Sequence, residues 1–381
     1  MWQRPHAPLS RKDYSMQTAK AFSIHDDATW MAGFRVRAAT RRVPLSAQLE
    51  LTSRCNLRCQ HCYLGNQLEQ HRKRSEERDT QAVLSSLDSW AAAGVFHLVI
   101  TGGDPMVRRD FADIYRHAAE LGMLVTVFCD GILISDAILA LFHTYPPRGI
   151  EISIYGATAE TYETVTRVAG SHAMAWKGIQ RLLDAGIRVI LKTVLMTLNE
   201  HELGDMAQQA EALGCEFKFD AAIFPCLPDH SKEPLDLRVS PETAVKWDLA
   251  FPERRRKWKA AVARPAPEAK VGDRIYTCGA GTTAFYCDPF GNLSPCLMTT
   301  HYRYAAQGRD FHDVWKHELG EIRSRKRTRS GGCLSGPLRN ACTHCPAFNH
   351  LETGDEETDS AYMKHTAELR YAALRSEQQE G

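Results

Sequence analysis

Two rhythms of apolar and polar positions alternate along the middle of this chain. Apolar-rich runs of six to nine residues, bounded by turn formers, recur at 47–52 (AQLELT), 96–101 (FHLVIT), 124–129 (LVTVFC), 150–155 (IEISIY), 188–196 (RVILKTVLM) and 216–223 (EFKFDAAI). Each reads as a strand. Helical periodicity falls between them at 110–121, 135–142, 175–186 and 200–214, with Gly186 and Gly214 at positions that end a helix in the left-handed conformation. Strands alternating with helices of this length imply βα units and a parallel sheet. Six strands are too few for a closed eight-stranded barrel and fit an open, partial one.

Past residue 235 the pattern changes. Ser240, Pro241 and Glu242 form a helix start, and charged, proline-containing stretches (RRRKWK, RPAPEAKVGD) follow. A cysteine-bearing region comes next, with a hairpin expected about Pro289-Phe290-Gly291-Asn292, then a polar tail of helical pattern. The expected organisation is an extension at 1–46, a barrel at 47–235, a helix and linker at 236–271, a small domain at 272–350 and a helical tail at 351–381. The fold class is α/β, a partial (β/α)6 TIM-like barrel followed by a small α+β domain.

A net charge of +1 over 381 residues gives no electrostatic argument for nucleic acid or a membrane surface. No apolar run approaches the length of a membrane span, and the N-terminus has no signal-peptide core, so a cytoplasmic protein is expected. Without an export signal, twelve cysteines argue for metal or redox chemistry over disulfides. Three of them, Cys55, Cys59 and Cys62, follow the first strand in the spacing C-x3-C-x2-C. A closed tetrahedral metal site needs four protein ligands; three leave a position open for chemistry. Thiolate triads suit an iron–sulfur cluster, and the competing reading is a zinc knuckle completed by His61 or a remote residue.

The stretch from Cys55 to Tyr63 resembles the radical S-adenosylmethionine (radical SAM) superfamily. The resemblance implies that three cysteines hold a [4Fe-4S] cluster and that S-adenosylmethionine fills the open position. A 5'-deoxyadenosyl radical then abstracts a hydrogen atom from substrate. "TGGDP" at 101–105 resembles the family's GGEP-type motif, with Gly102, Gly103 and Asp104 near the methionine ammonium. "EISIYG" at 151–156 resembles the ribose-contacting strand, so Ser153 is the expected ribose contact and Lys192 a carboxylate partner. Tyr63 is the aromatic beside the last cysteine. "VFCDG" departs from the family's threonine-asparagine-glycine at Cys129 and Asp130.

Cys278, Cys296, Cys342 and Cys345 could close a four-thiolate site, of zinc or of iron and sulfur. The region from Cys278 to Met298 resembles the SPASM or twitch extensions of radical enzymes, which implies one auxiliary [4Fe-4S] cluster in a small iron–sulfur domain. Gly336 stands where a further SPASM cysteine falls, and Cys287 and Cys333 are left as spare ligands or free thiols.

The resemblance points to a ribosomally synthesised precursor peptide, joined oxidatively by a thioether or carbon–carbon bond. It also implies an electron donor such as flavodoxin or ferredoxin. The 46 residues before the barrel are short for a winged-helix recognition domain, so a separate leader-peptide-recognition protein is expected. Cys226, just past the sixth strand, could return a hydrogen atom in a peptide epimerase. Dehydrogenation or rearrangement of a small metabolite is the other enzymatic reading, and a non-catalytic electron carrier or zinc module is the reading from another class. The basic run at 323–329 (RSRKRTR) reads as a solvated face or a dock for an acidic leader.

Overall fold

The structure, a computed structural model, describes residues 27–379 apart from positions 267, 331 and 344. The chain divides into two compact units at Arg41. Of the first unit, and of the expected N-terminal extension, residues 1–26 lie outside the described residues; the remainder forms α1 (Asp27–Arg41).

The second unit is built on one sheet. Its strands are β1 (Ser46–Glu50), β2 (His97–Thr101), β3 (Leu124–Cys129), β4 (Gly149–Ser153), β5 (Val189–Val194), β6 (Glu216–Asp220), β7 (Ala284–Cys287), β8 (Asn292–Ser294) and β9 (Tyr304–Ala305). The order is β6-β5-β4-β3-β2-β1-β7-β8-β9. Strands β1 to β6 are parallel neighbours in sequence order, the signature of repeated βα crossovers and the open barrel expected. The observed strands stop one to three residues short of the apolar runs at several ends, because Leu51, Ile154 and Leu195 continue inward as buried loop residues.

The helices are α2 (Gln67–Arg72), α3 (Thr80–Ala93), α4 (Phe111–Glu120), α5 (Asp136–Thr144), α6 (Ala159–Thr166), α7 (Ser171–Asp184), α8 (Leu203–Ala212), α9 (Pro241–Ala250), α10 (Pro252–Val262), the single turn α11 (Phe311–Asp313), α12 (Pro346–Thr353) and α13 (Ala361–Gln379). Helix α3 supplies the first crossover, a helix not among those expected from the sequence pattern. Asp79 caps its N-terminus by accepting from the Ala82 N–H, and Gly94 ends it at φ 108°. Ser240 caps α9 as expected, accepting from the Thr243 N–H, with Pro241 first in the helix.

The hairpin β7–β8 does not stand apart from the barrel: β7 pairs in parallel with β1, Gln48 opposite Tyr286. Phe285, Leu293, Phe311 and Trp315 belong to the same apolar core as Leu49, Ile100 and Val127. A smaller core (Ile275, Tyr276, Tyr302, Ile322, Ala347) lies under the cysteine-bearing loops. The tail folds back through α13 onto α9, where the Arg370 guanidinium donates to the buried Asp248 carboxylate at 2.5 Å. No helix among the described residues is long and apolar enough to cross a membrane.

Candidate active site around the cysteine loop

The cysteine loop leaves β1 at the carboxyl end of the sheet, where open and closed α/β barrels place their chemistry. Its root is pinned by the next strand's exit. Leu51 N–H donates to the Thr101 carbonyl at 2.8 Å, Gly103 N–H to the Thr52 carbonyl at 2.8 Å, and Asp104 N–H to the Arg54 carbonyl at 2.9 Å. A Cβ on Gly103 would lie 2.3 Å from the Arg54 carbonyl oxygen, and one on Gly102 2.3 Å from that of Thr52. The glycine pair therefore brings two backbones together at the foot of the loop. The Arg54–Glu77 ion pair, 3.0 Å and largely buried, fastens the same root from the side.

Cys55, Cys59 and Cys62 are free thiols. Burial pushes all three above the ordinary thiol range, and their mutual repulsion adds to the effect between Cys59 and Cys62 and between Cys55 and Cys59. A metal cluster would need all three as thiolates, which its positive charge would stabilise. Among the described residues, no group of three or more His, Cys, Asp or Glu side chains is placed to hold a metal ion. The fit to a cluster rests on the three half-buried thiols and the donors around them. Leu57 N–H points at the Cys55 sulfur at 3.3 Å, and the Gln67 amide at the Cys62 sulfur at 3.8 Å. His61 is half-buried and held neutral, its pKa lowered to about 4 by desolvation, and its buried Nδ1 has no partner. Its ring packs on Tyr155, centroids 4.9 Å apart.

Asp104 and Asp130 meet at the neighbouring strand ends. Asp104 Oδ1 accepts from Met106 N–H at 2.8 Å and Oδ2 from Asp130 N–H at 2.9 Å. Burial raises both carboxyls, and the Asp104 charge raises Asp130 further. Asp130 Oδ2 is buried with no partner. This pocket favours a cation or a strong donor. Gly178 of α7 makes the turn possible: a Cβ there would lie 1.7 Å from the Gly131 carbonyl oxygen.

Ser153 and Lys192 face each other in register on β4 and β5. Lys192 is not free: its ammonium lies 3.4 Å from Glu151 and over the Phe128 ring, and burial lowers its pKa to about 8 against the Glu151 attraction. Tyr63 is packed against Phe224, and its carbonyl accepts from Leu227 N–H at 2.8 Å. Cys226 donates its thiol to the Cys62 carbonyl at 3.5 Å and lines a cavity of ≈ 580 Å³ together with Cys59 and Cys62. A second cavity, of ≈ 720 Å³, is walled by Ser53 and Leu64 of the cysteine loop's two ends and by Leu297 and His301 beyond β8. Glu50, at the end of β1, lines this larger cavity and is 1% exposed. Its carboxyl accepts from the hydroxyls of Tyr286 and Ser53, and burial raises its pKa to about 7.

The later cysteines group differently from the expected foursome. Burial raises Cys296 and Cys345, and the neighbouring cysteines add to it, Cys278 acting on Cys296 and both Cys296 and Cys278 acting on Cys345. Cys342 is engaged with the Cys333 thiol, and Asp359 accepts from the Cys333 N–H at 2.8 Å. Cys287, considered a spare ligand, is buried in β7, where the Arg78 guanidinium donates to its sulfur at 3.3 Å. The basic run is laced to one acidic segment: Arg325 pairs with Glu356 and Arg329 with Asp355, while Arg323 donates to the Cys278 carbonyl. Glu50, Gln67, Arg78, Gly178 and Tyr286 carry no motif in the sequence; only the fold brings them to the site.

Residues 49–210 match the model of the radical SAM superfamily. The mycofactocin maturase MftC of Mycolicibacterium smegmatis is 27% identical over 321 residues, covering 78% of this chain and 77% of that protein. A PqqA peptide cyclase of Methylorubrum populi is 26% identical over 321 residues, covering 79% and 77%. The crystal structure of Streptococcus suis SuiB bound to precursor peptide SuiA shares the fold, with TM-score 0.65 and 17% identity over 90% of this chain and 82% of that one. The motif at the end of β1 and the sheet that carries it thus lie within a radical SAM domain match, and the chain is an enzyme similar to these maturases.

Proposed function

We propose that this enzyme matures a ribosomally synthesised precursor peptide, joining two of its residues in an oxidative cross-link, thioether or carbon–carbon. The observation that carries the reading is the ≈ 720 Å³ cavity shared by the two cysteine regions. Its volume lies in the range that takes a ligand of several residues' side chains. A maturase and a peptide cyclase among the relatives, and a structural neighbour holding its precursor peptide, support a peptide as the occupant.

In this reading Cys55, Cys59 and Cys62 hold a [4Fe-4S] cluster, and the fourth position is left to S-adenosylmethionine. When bound, the pair supplies a 5'-deoxyadenosyl radical that takes a hydrogen atom from the substrate. The chain's own residues orient and enclose. Gly102 and Gly103 fix the loop root, and the partnerless Asp130 oxygen beside Asp104 suits the methionine ammonium. Ser153 is the ribose contact, and Lys192, shared with Glu151, the carboxylate contact. Tyr63 and its Leu227 bond close the loop against the chain past β6. Cys278, Cys296 and Cys345, with Cys342 nearby in sequence, would hold one auxiliary [4Fe-4S] cluster. A flavodoxin or ferredoxin as electron donor and a separate leader-recognition protein complete the proposal.

The test is anaerobic incubation of the reconstituted enzyme with candidate precursor peptides, read by mass spectrometry in ordinary and deuterated water. Loss of two hydrogen atoms per event supports cross-linking. An unchanged peptide mass in ordinary water with one solvent deuterium at an α carbon would replace it by epimerisation, with Cys226 as hydrogen donor. Turnover of free metabolites alone would refute a peptide substrate.

A further inference from the structure

The short helix α2 lies directly after the cysteine loop, and its first residue does something the motif does not record. Gln67 is 6% exposed. Its side-chain carbonyl accepts the Cys55 N–H at 2.9 Å, and its amide nitrogen approaches the Cys62 sulfur at 3.8 Å. One buried side chain thus spans the first and third cysteines. Its neighbours hold it in place: Asn66 caps the helix by accepting from Leu68 N–H, Gln70 donates to the Leu64 carbonyl at 2.8 Å, and His71 donates to the Cys55 carbonyl at 3.0 Å.

We propose that Gln67 is a positioning residue for the iron–sulfur site, a clasp that fixes the separation of Cys55 and Cys62 and donates to the Cys62 sulfur. The inference rests on the cluster reading above. Glutamine suits the task because it offers an acceptor to a backbone N–H and a donor to a thiolate from one planar group. Glutamate keeps the acceptor and loses the donor; methionine has similar length and loses both. A hydrogen bond to a cluster sulfur draws off electron density and eases reduction, so its removal moves the midpoint potential to a more negative value.

The experiment loads wild type, Gln67→Met and Gln67→Glu anaerobically with iron and sulfide. It measures iron released to a chelator, the midpoint potential by electron paramagnetic resonance, and folding by circular dichroism. Gln67→Met is expected to release the iron of the Cys55–Cys62 site about tenfold faster, the lower range for partners that orient metal ligands. Its remaining cluster should have a more negative potential, and Gln67→Glu should recover most of the retention but not the potential. Wild-type retention and potential in Gln67→Met overturn the proposal. If Gln67→Met does not fold, the potential of Gln67→Glu decides: a wild-type value overturns the proposal, a more negative one upholds it. A wild type that takes up no iron at Cys55, Cys59 and Cys62 refutes the cluster reading itself, and the wild-type count shows this separately.

Discussion

Glu50→Gln tests how the hairpin is joined to the barrel. Glu50 is buried at the end of β1 and receives Tyr286 from β7 and Ser53 from the cysteine loop, one on each oxygen. Burial is the largest influence and raises its pKa from 4.5 to about 7; the two hydroxyls oppose it, Asp288 adds to it and Arg303 subtracts. A carboxyl with a raised folded-state pKa holds its proton in the folded state after the unfolded chain has lost it. Its contribution is therefore most favourable below pH 4.5 and declines as pH rises to about 7. The shift corresponds to about 3 kcal/mol, an order-of-magnitude figure for a group fully removed from water. The glutamine of the variant cannot ionise, and its amide can accept only one of the two hydroxyls well, which costs about 1 kcal/mol at every pH. Urea unfolding of both proteins, prepared anaerobically, is compared at steps from pH 5 to pH 8. The stability of the variant relative to wild type should rise by about 2–3 kcal/mol across that range. A pH-independent difference would contradict the reasoning, because Glu50 would then be ionised at little penalty and the Tyr286 bond would not be holding a buried carboxyl.

Further outcomes follow from the loop and the later cysteines. Gly103→Ala places a methyl against the Arg54 and Ser53 carbonyls at 2.3 and 2.8 Å, so backbone must move; a loss of about 1–3 kcal/mol in chemical unfolding and a fall in bound iron are expected. The control, Gly204→Ala in α8, meets nothing within 4 Å and should stabilise by about 0.5–1 kcal/mol. Cys287→Ala should keep the wild-type iron count, since Cys287 is turned to Arg78, whereas Cys345→Ala should lose the iron of the second region. Equal iron in the two variants would remove Cys345 from the ligand group.

The barrel was legible because its strands are continuous apolar runs and its helices end on glycines such as Gly186 and Gly214, both at positive φ. Helix α3 is hard to read from sequence although Asp79 and Gly94 mark its ends, since it lies in the long polar stretch after the cysteines. The pairing of β7 with β1 could not be read, because a four-residue strand carries too little pattern to name a partner more than two hundred residues away in sequence. The site divides the same way. Cys55, Cys59 and Cys62 announce themselves by spacing, while Gln67 and Glu50 acquire their roles only from burial and from what lies opposite. The expected set of Cys278, Cys296, Cys342 and Cys345 rests on two distant cysteines joined to a C-x2-C pair. The fold turns Cys342 to Cys333 across a loop that spacing alone does not describe.

The most direct test of the central claim compares wild type with the Cys55/Cys59/Cys62→Ala triple variant after anaerobic reconstitution with iron and sulfide. Iron is counted, and 5'-deoxyadenosine is measured after reduction in the presence of S-adenosylmethionine. The account predicts that the variant holds about four irons fewer than wild type and forms no 5'-deoxyadenosine. Equal iron in the two proteins, or cleavage that survives in the variant, would contradict it.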